Sequence, residues 1–379
     1  MAQELKNNDY SKNSVEPDRC LAQIVTVDQL SVIEGAQNIE LAHVLGWQCV
    51  VKKQEFQIGD LVIYFSIDSV LDPNHCNFQF LEGKRLKTKK ILNTLSQGLL
   101  APLSWLTDYD QSFDLSNVKL NDNVTDVLKV RKFVTSSELR QYSDEQNCEA
   151  FPSFVPKTEE QRVQNIPTVL KQLVGQDIVI TRKEDGTSTT YVFCQNQSSP
   201  QIFLICGRNR VLRGKTPVNP PFLLNGVQQG CPLPHIKGGS HYFEMAERFD
   251  IKQKMKQLGL NIAIQGEIVG PKIGGNKLKL KENDFRVFNI WDIDNQCYLQ
   301  WEQVEQITDQ LQLHRVPVLY KGTFQPEMAM VKHLLEMANL IEYDKNIPAE
   351  GMIVKTNYGK ERPRHSFKVI SNKFLLRNN

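Results

Sequence analysis

A run of β-branched residues, Ile178-Val179-Ile180-Thr181, stops abruptly at Arg182-Lys183-Glu184-Asp185-Gly186. Such a run reads as a strand, because branched side chains pack well on a pleated surface. The charges that follow are too costly to bury unpaired, so the strand must deliver them to an edge or a cavity. The pattern recurs in IAIQGEIVG from Ile262, FRVFNIWDI from Phe285, EGMIVKT from Glu350 and HSFKVI from His365. Between these, Trp301, Val304, Ile307 and Leu311 recur at helical spacing, as do Met328, Val331, Leu334, Leu335 and Ala338, which makes both stripes core faces. This part of the chain therefore predicts an α+β domain whose polar residues of interest sit at strand ends and edges.

At 379 residues the chain is too long for one typical core, and two domains are expected. CLAQIVTV, VLGWQCVVK and LVIYFSID, all before residue 70, read as short strands with Gly59-Asp60 between the last two. In the third, Leu61, Ile63, Phe65 and Ile67 share one face and Val62 and Tyr64 the other, so both faces are covered. Short strands packed this closely fit a small barrel better than a sheet with crossover helices. The polar stretch SSELRQYSDEQNCEAFPSFVPK reads as a connection, and Thr158-Glu159-Glu160-Gln161 as a helix start with a capping box. The expected division is a disordered tail over 1–18, a barrel over 19–135, a linker over 136–157 and a second domain over 158–379.

The first eighteen residues have no apolar stretch, and no run approaches the ~20 apolar residues of a membrane span. An intracellular, soluble protein is expected, cytoplasmic or nuclear. The eight cysteines form no CxxC pair and the seven histidines no metal spacing, which argues against structural zinc and for reduced thiols.

A nucleophilic lysine must lose its proton near neutral pH, so its pKa must fall by several units through burial or neighbouring cations. Lys183, with an acidic residue and Gly186 after it, has the setting for such a role, and the glycine would let backbone approach a nucleotide closely. Alone, K-x-D-G occurs by chance in about one chain of this length in ten. Its companions make it specific: Gly207-Arg208-Asn209, Gly266-Glu267-Ile268-Val269-Gly270, Phe285-Arg-Val-Phe288, Glu350-Gly351 through Lys355, and Ser366-Phe367-Lys368, in that order.

This ordered set resembles the motifs of covalent nucleotidyltransferases, the polynucleotide ligases and mRNA capping enzymes, over 158–379. FQIGDLVIYFSIDSVL, GKRLKTKK, SQGLLAPLSWL, TEEQRVQNI, GEIVGPKIGGNKLKL and SFKVISNKFLL are similar to RNA ligase family five. That resemblance implies an amino-terminal OB-type β-barrel followed by an adenylyltransferase (ATP-grasp-like ligase) domain of antiparallel sheets with flanking helices. In capping enzymes and most DNA ligases the OB domain follows the catalytic one, and here only Asn372 to Asn379 follow the last motif.

The roles it implies are these. Lys183 attacks ATP and carries AMP, which passes to an RNA 5′-phosphate before a 3′-hydroxyl displaces it. Phe288 stacks on adenine, preferred to Phe285, one of the two being core by strand alternation. Arg208 contacts ribose and phosphates, Glu350 the ribose, and Lys355 and Lys368 the α-phosphate; Arg182 belongs to the same nucleotide site. Asp185, Glu267 and Glu350 hold Mg²⁺ or Mn²⁺, directly or through water, as suits a hard cation. Family members often carry K-x-K in the last motif; here the second position is Ile370, so either Lys373 takes that part or Lys368 serves alone.

The net charge is only +2, but it is clumped. Lys84, Arg85, Lys87, Lys89 and Lys90 form one group, expected to bind RNA; Lys272, Lys277, Lys279 and Lys281 form a second; Lys360, Arg362, Arg364 and Lys368 form a third. The expected activity is ATP-dependent joining of 3′-OH and 5′-phosphate RNA ends, at nicks in duplex RNA, in RNA repair, with no membrane and no obligate protein partner. A DNA ligase of the same superfamily and a non-catalytic RNA-binding protein retaining the fold are the alternatives.

Overall fold

The computed structural model describes residues 20–133, 150–196, 199–212, 222–224, 227–229, 240–359 and 362–378. The expected tail over 1–18, most of the connection, and Lys360 lie outside them. The described residues divide into two compact units that part at Phe133.

In the first unit, strands Ala22–Thr26, Leu61–Phe65 and Leu99–Pro102 form an antiparallel sheet with Leu61–Phe65 in the middle, and Gln29–Val32, Ile39–Val44 and Trp47–Lys52 form another. The central strand is covered on both faces, as its sequence demands: Ile63 and Phe65 pack with Phe78 and Leu106, Val62 and Tyr64 with Val44 and Trp47. Two sequence expectations need correction. Ile67 packs with Val62 and Tyr64 rather than with Phe65, because the strand ends at Phe65 and alternation is lost there. VLGWQCVVK is not one strand but the inner end of a hairpin: Leu45 and Gly46 both take positive φ (49° and 77°), the geometry of a tight two-residue turn.

Among the described residues the second unit holds two large sheets and two two-stranded hairpins. The first has five strands in the order Gln161–Arg162, Ser366–Ile370, Gly351–Thr356, Asp177–Lys183 and Val318–Thr323. Thr187–Asn196, Ile262–Val269 and Asp284–Asp292 are adjacent in the second. Helix Val331–Asn339 buries Leu334, Leu335 and Ala338 on the first sheet's core, and helix Trp301–Gln310 buries Trp301, Val304 and Ile307 on the second's. Met328, counted in the second stripe, lies in a 3₁₀ turn just before its helix.

The helix expected at Thr158 does not form. Thr158 bonds through its hydroxyl to Ser188 (2.7 Å), Gln161 and Arg162 pair in parallel with Phe367 and Lys368, and the α-helix starts only at Pro167. Sheet pairing with a strand two hundred residues away overrides the local cap. Residues 150–156 of the connecting stretch pack against the second sheet: Phe151 and Val155 are buried, and the Trp291 indole and Gln265 amide donate to the carbonyls of Phe154 and Pro156.

Candidate active site

The strand Asp177–Lys183 buries Ile178, Val179, Ile180 and Thr181, and Lys183 is its last residue, opposite Gly351 in the ladder. Glu184-Asp185-Gly186 then crosses to the second sheet, which the chain joins at Thr187. Gly186 is required for that crossing: a Cβ there would lie 2.3 Å from the Ile268 carbonyl oxygen. The close approach foreseen for this glycine is thus to the strand carrying Glu267. Gly351, at φ +143° with a virtual Cβ 2.0 Å from the Val369 oxygen, brings Glu350 in by the same device.

Between the sheets lies a cavity of about 440 Å³. Lys183, Arg182, Asp185, Arg208, Glu267, Phe288, Glu350, Lys355 and Lys368 all line it, so every site residue expected from the carboxy-terminal motifs meets there. Lys373 is exposed on the last helix and is not part of the lining, and Ile370 is buried. Phe285 is fully buried, edge-on to Tyr191, whereas Phe288 is part-buried and turns to the cavity.

Lys183 donates to Glu350 Oε2 at 2.6 Å. Burial pulls the lysine's pKa down, but Glu350, Glu267 and Asp185 together outweigh it, and the net shift is upward. The depressed lysine expected from sequence is therefore not found at Lys183 in the ligand-free protein; the crowded carboxylates hold its proton in place. Depressed lysines occur beside it. Burial brings Lys368 to about 8, with help from the Lys183, Arg162 and Arg208 charges. Burial and the Arg364 guanidinium push Lys355 well down; its amine donates to the Phe288 carbonyl (2.7 Å) and Asn289 Oδ1 (3.1 Å).

Glu267 is raised to about 7, first by burial and then by Glu350 and Asp185. No described residue donates a hydrogen bond to its carboxylate, although Asp185 is held by Lys277 at 2.5 Å. Three acidic groups around one cavity, one of them unpartnered and reluctant to ionise, fit a divalent cation that would relieve their repulsion. Among the described residues no three His, Cys, Asp or Glu side chains close on one point, so the donor set suits an ion bound partly through water.

Two participants carry no signal in the sequence. Glu184 is buried; its Oε1 accepts from Arg182 Nη2 (2.9 Å) and Arg286 Nη1 (3.1 Å), tying the two sheets together beside Lys183. Tyr343 touches both Lys183 and Glu350 through its hydroxyl. Their partners lie about a hundred residues away or more for Arg286 and Lys183, beyond any local periodicity.

In the first unit, the basic segment divides. Lys84 pairs with Glu82, and Arg85 reaches Asp68 (3.5 Å) and covers the Phe133 ring (4.7 Å). Lys87, Lys89 and Lys90 are exposed. No helix of the described residues is long and apolar enough to cross a membrane.

Comparison with known proteins places these features in a family. The RNA ligase family profile matches residues 176–370, and an OB-fold domain profile matches residues 21–103. A search of curated proteins finds no match. Among solved structures, a lysine-to-alanine mutant of the Naegleria gruberi RNA ligase with ATP and Mn is similar at 30% identity, covering 95% of this chain and 99% of that one, with a TM-score of 0.70. A lysine-to-methionine mutant of the same ligase with AMP and Mn matches to the same extent, and the ligase with PPi at 32% identity, 95% and 98% coverage and a TM-score of 0.67.

Proposed function

The chain belongs to the RNA ligase family, with an OB-fold domain ahead of its ligase domain, and from that premise we infer that it seals 3′-OH and 5′-phosphate RNA ends at nicks in duplex RNA, as a repair enzyme. It is an ATP-dependent RNA ligase, and the related structures with ATP, AMP and Mn support its use of ATP and a divalent metal. The observation that carries the reading is the meeting of Lys183, Glu350, Glu267, Phe288 and Lys368, from five separate stretches, around one cavity.

In this reading the Lys183 amine attacks the α-phosphorus of ATP. An N–P bond forms, the bond to the bridging oxygen breaks, pyrophosphate leaves and the amine loses its proton. Positioning and charge do most of the work in such a transfer. Phe288 stacks on the adenine. Arg208 and Lys368 meet the phosphates, and Glu350, once the nucleotide enters, turns from the amine to the ribose. Lys355, already bonded to Phe288 and Asn289, both steadies the stacking residue and adds positive charge near the α-phosphate. Asp185, Glu267 and Glu350 would hold Mg²⁺ or Mn²⁺, which supplies charge stabilisation at the phosphates and lowers the pKa of the neighbouring amine. The AMP then passes to the RNA 5′-phosphate, and the 3′-hydroxyl displaces it to close the phosphodiester. Lys87, Lys89 and Lys90 contribute phosphate contacts from the OB-fold domain.

Incubation with ATP and Mn²⁺ is expected to leave one AMP on Lys183 by intact mass, and none on Lys183→Ala. The same protein should seal nicked duplex RNA faster than a matched DNA nick. Preference for DNA would favour a DNA ligase, and absence of any adduct a non-catalytic RNA-binding protein.

A further inference from the structure

We propose that Tyr343 is a positioning residue for adenylyl transfer, locking Lys183 to Glu350 where the strand ladder between them ends. This rests on the ligase reading above and adds a residue to it.

The ladder between Asp177–Lys183 and Gly351–Thr356 runs from Ile178 opposite Thr356 to Lys183 opposite Gly351, and there it stops. Beyond it Glu184 leaves for the other sheet and Glu350 leads back toward a short hairpin, Glu342–Asp344 with Ile347–Pro348. Without a further tie, the two residues whose side chains meet at 2.6 Å would hang from fraying strand ends. Tyr343 supplies the tie. Its hydroxyl donates to the Lys183 carbonyl at 2.9 Å and accepts from the Glu350 backbone N–H at 3.2 Å.

A phenol has one proton to give, so giving it to Lys183 and taking one from Glu350 fixes a single orientation. The ring works as well: the Arg182 guanidinium lies 5.1 Å from its centroid while also bonded to Glu184. Tyr343 thus braces the backbone on both sides of the reacting amine without touching a reacting atom. Small misplacements of a reacting group are costly because effective molarity depends on near-attack geometry.

Tyr343→Phe in the full chain tests this, since it removes the hydroxyl and keeps the ring under Arg182. Single-turnover formation of lysyl-AMP with ATP and Mn²⁺ would be followed by rapid quench across ATP concentrations. The expected result is a rate constant lower by about tenfold, the order of one lost hydrogen bond, with half-saturating ATP and final amplitude unchanged. A lower amplitude with an unchanged rate constant would reveal a merely structural residue and overturn the proposal. A loss matched by a rise in half-saturating ATP would also overturn it, by moving Tyr343 into nucleotide binding. Wild-type protein that accepts no AMP sinks the ligase reading and this inference together, and the wild-type arm alone distinguishes that case.

Discussion

The amine of Lys183 rests 2.6 Å from a Glu350 oxygen, in a pair whose side chains keep only 24% and 19% of their exposure. A half-buried ion pair of this kind protects the lysine from reacting until something else takes up the carboxylate charge.

Chemical labelling reads that protection directly. Glu350 is the largest of the influences holding the proton on Lys183, and burial opposes them. Glu350→Gln should therefore free the amine in the absence of any ligand. Acetylation of Lys183 at pH 8, mapped by mass spectrometry, is expected to rise several-fold, because the charge that most favours the protonated amine is gone. An unchanged labelling rate would remove Glu350 from control of the nucleophile.

Phe285 and Phe288 separate packing from binding. Phe285 is wholly enclosed, so Phe285→Ala should cost about 3–5 kcal/mol of stability, seen by urea unfolding. Phe288 faces the cavity, and Phe288→Ala should spare most of that stability while raising the half-saturating ATP for adduct formation about tenfold or more. The opposite pattern would place the base on the other ring.

The contrast between these rings was open to sequence reasoning, because strand alternation guarantees that one of two such positions is core. So was the Asp177–Lys183 strand, where β-branching and a terminal charge act within seven residues. Thr158 misled because a capping box is a local preference of about 1 kcal/mol, and Gln161–Arg162 found ladder partners at Phe367–Lys368 instead. Lys183 misled for another reason: its proton affinity is set by carboxylates 84 and 167 positions away as well as by its own burial, and only the fold fixes their balance. Tyr343 was invisible, being one tyrosine of ten with no pattern around it.

The basic segment of the OB-fold domain should behave as two populations. Lys87 and Lys89 are exposed, and replacing both with Glu should weaken RNA binding and flatten its salt dependence by roughly one phosphate contact per residue, about 0.7–0.9 in log–log slope each. Arg85 holds Asp68 and covers Phe133, so Arg85→Ala should lower the melting temperature of this domain. Fluorescence anisotropy across a salt series decides it: identical slopes for wild type and the double variant would exclude these lysines from the RNA path.

Lys368 should make stability depend on pH in a direction opposite to an ordinary ion-paired lysine. Burial, helped by the Lys183, Arg162 and Arg208 charges, holds its folded pKa at about 8, below the 10.5 of an unhindered lysine. Below pH 8 both folded and unfolded forms keep the proton, and the folded protein bears the full penalty of a confined charge. Between pH 8 and 10.5 the folded lysine gives up its proton while the unfolded one retains it, so stability rises with pH through that window. Lys368→Met removes the penalty. The variant should exceed wild type in unfolding free energy at pH 7 by on the order of 1–2 kcal/mol, discounted for solvent at the cavity mouth, and the difference should shrink by pH 9.5. An incoming phosphate would supply the missing countercharge, so ATP should stabilise wild type more than the variant at pH 7. An advantage of equal size at both pH values would mean that Lys368 is not the confined charge its surroundings imply.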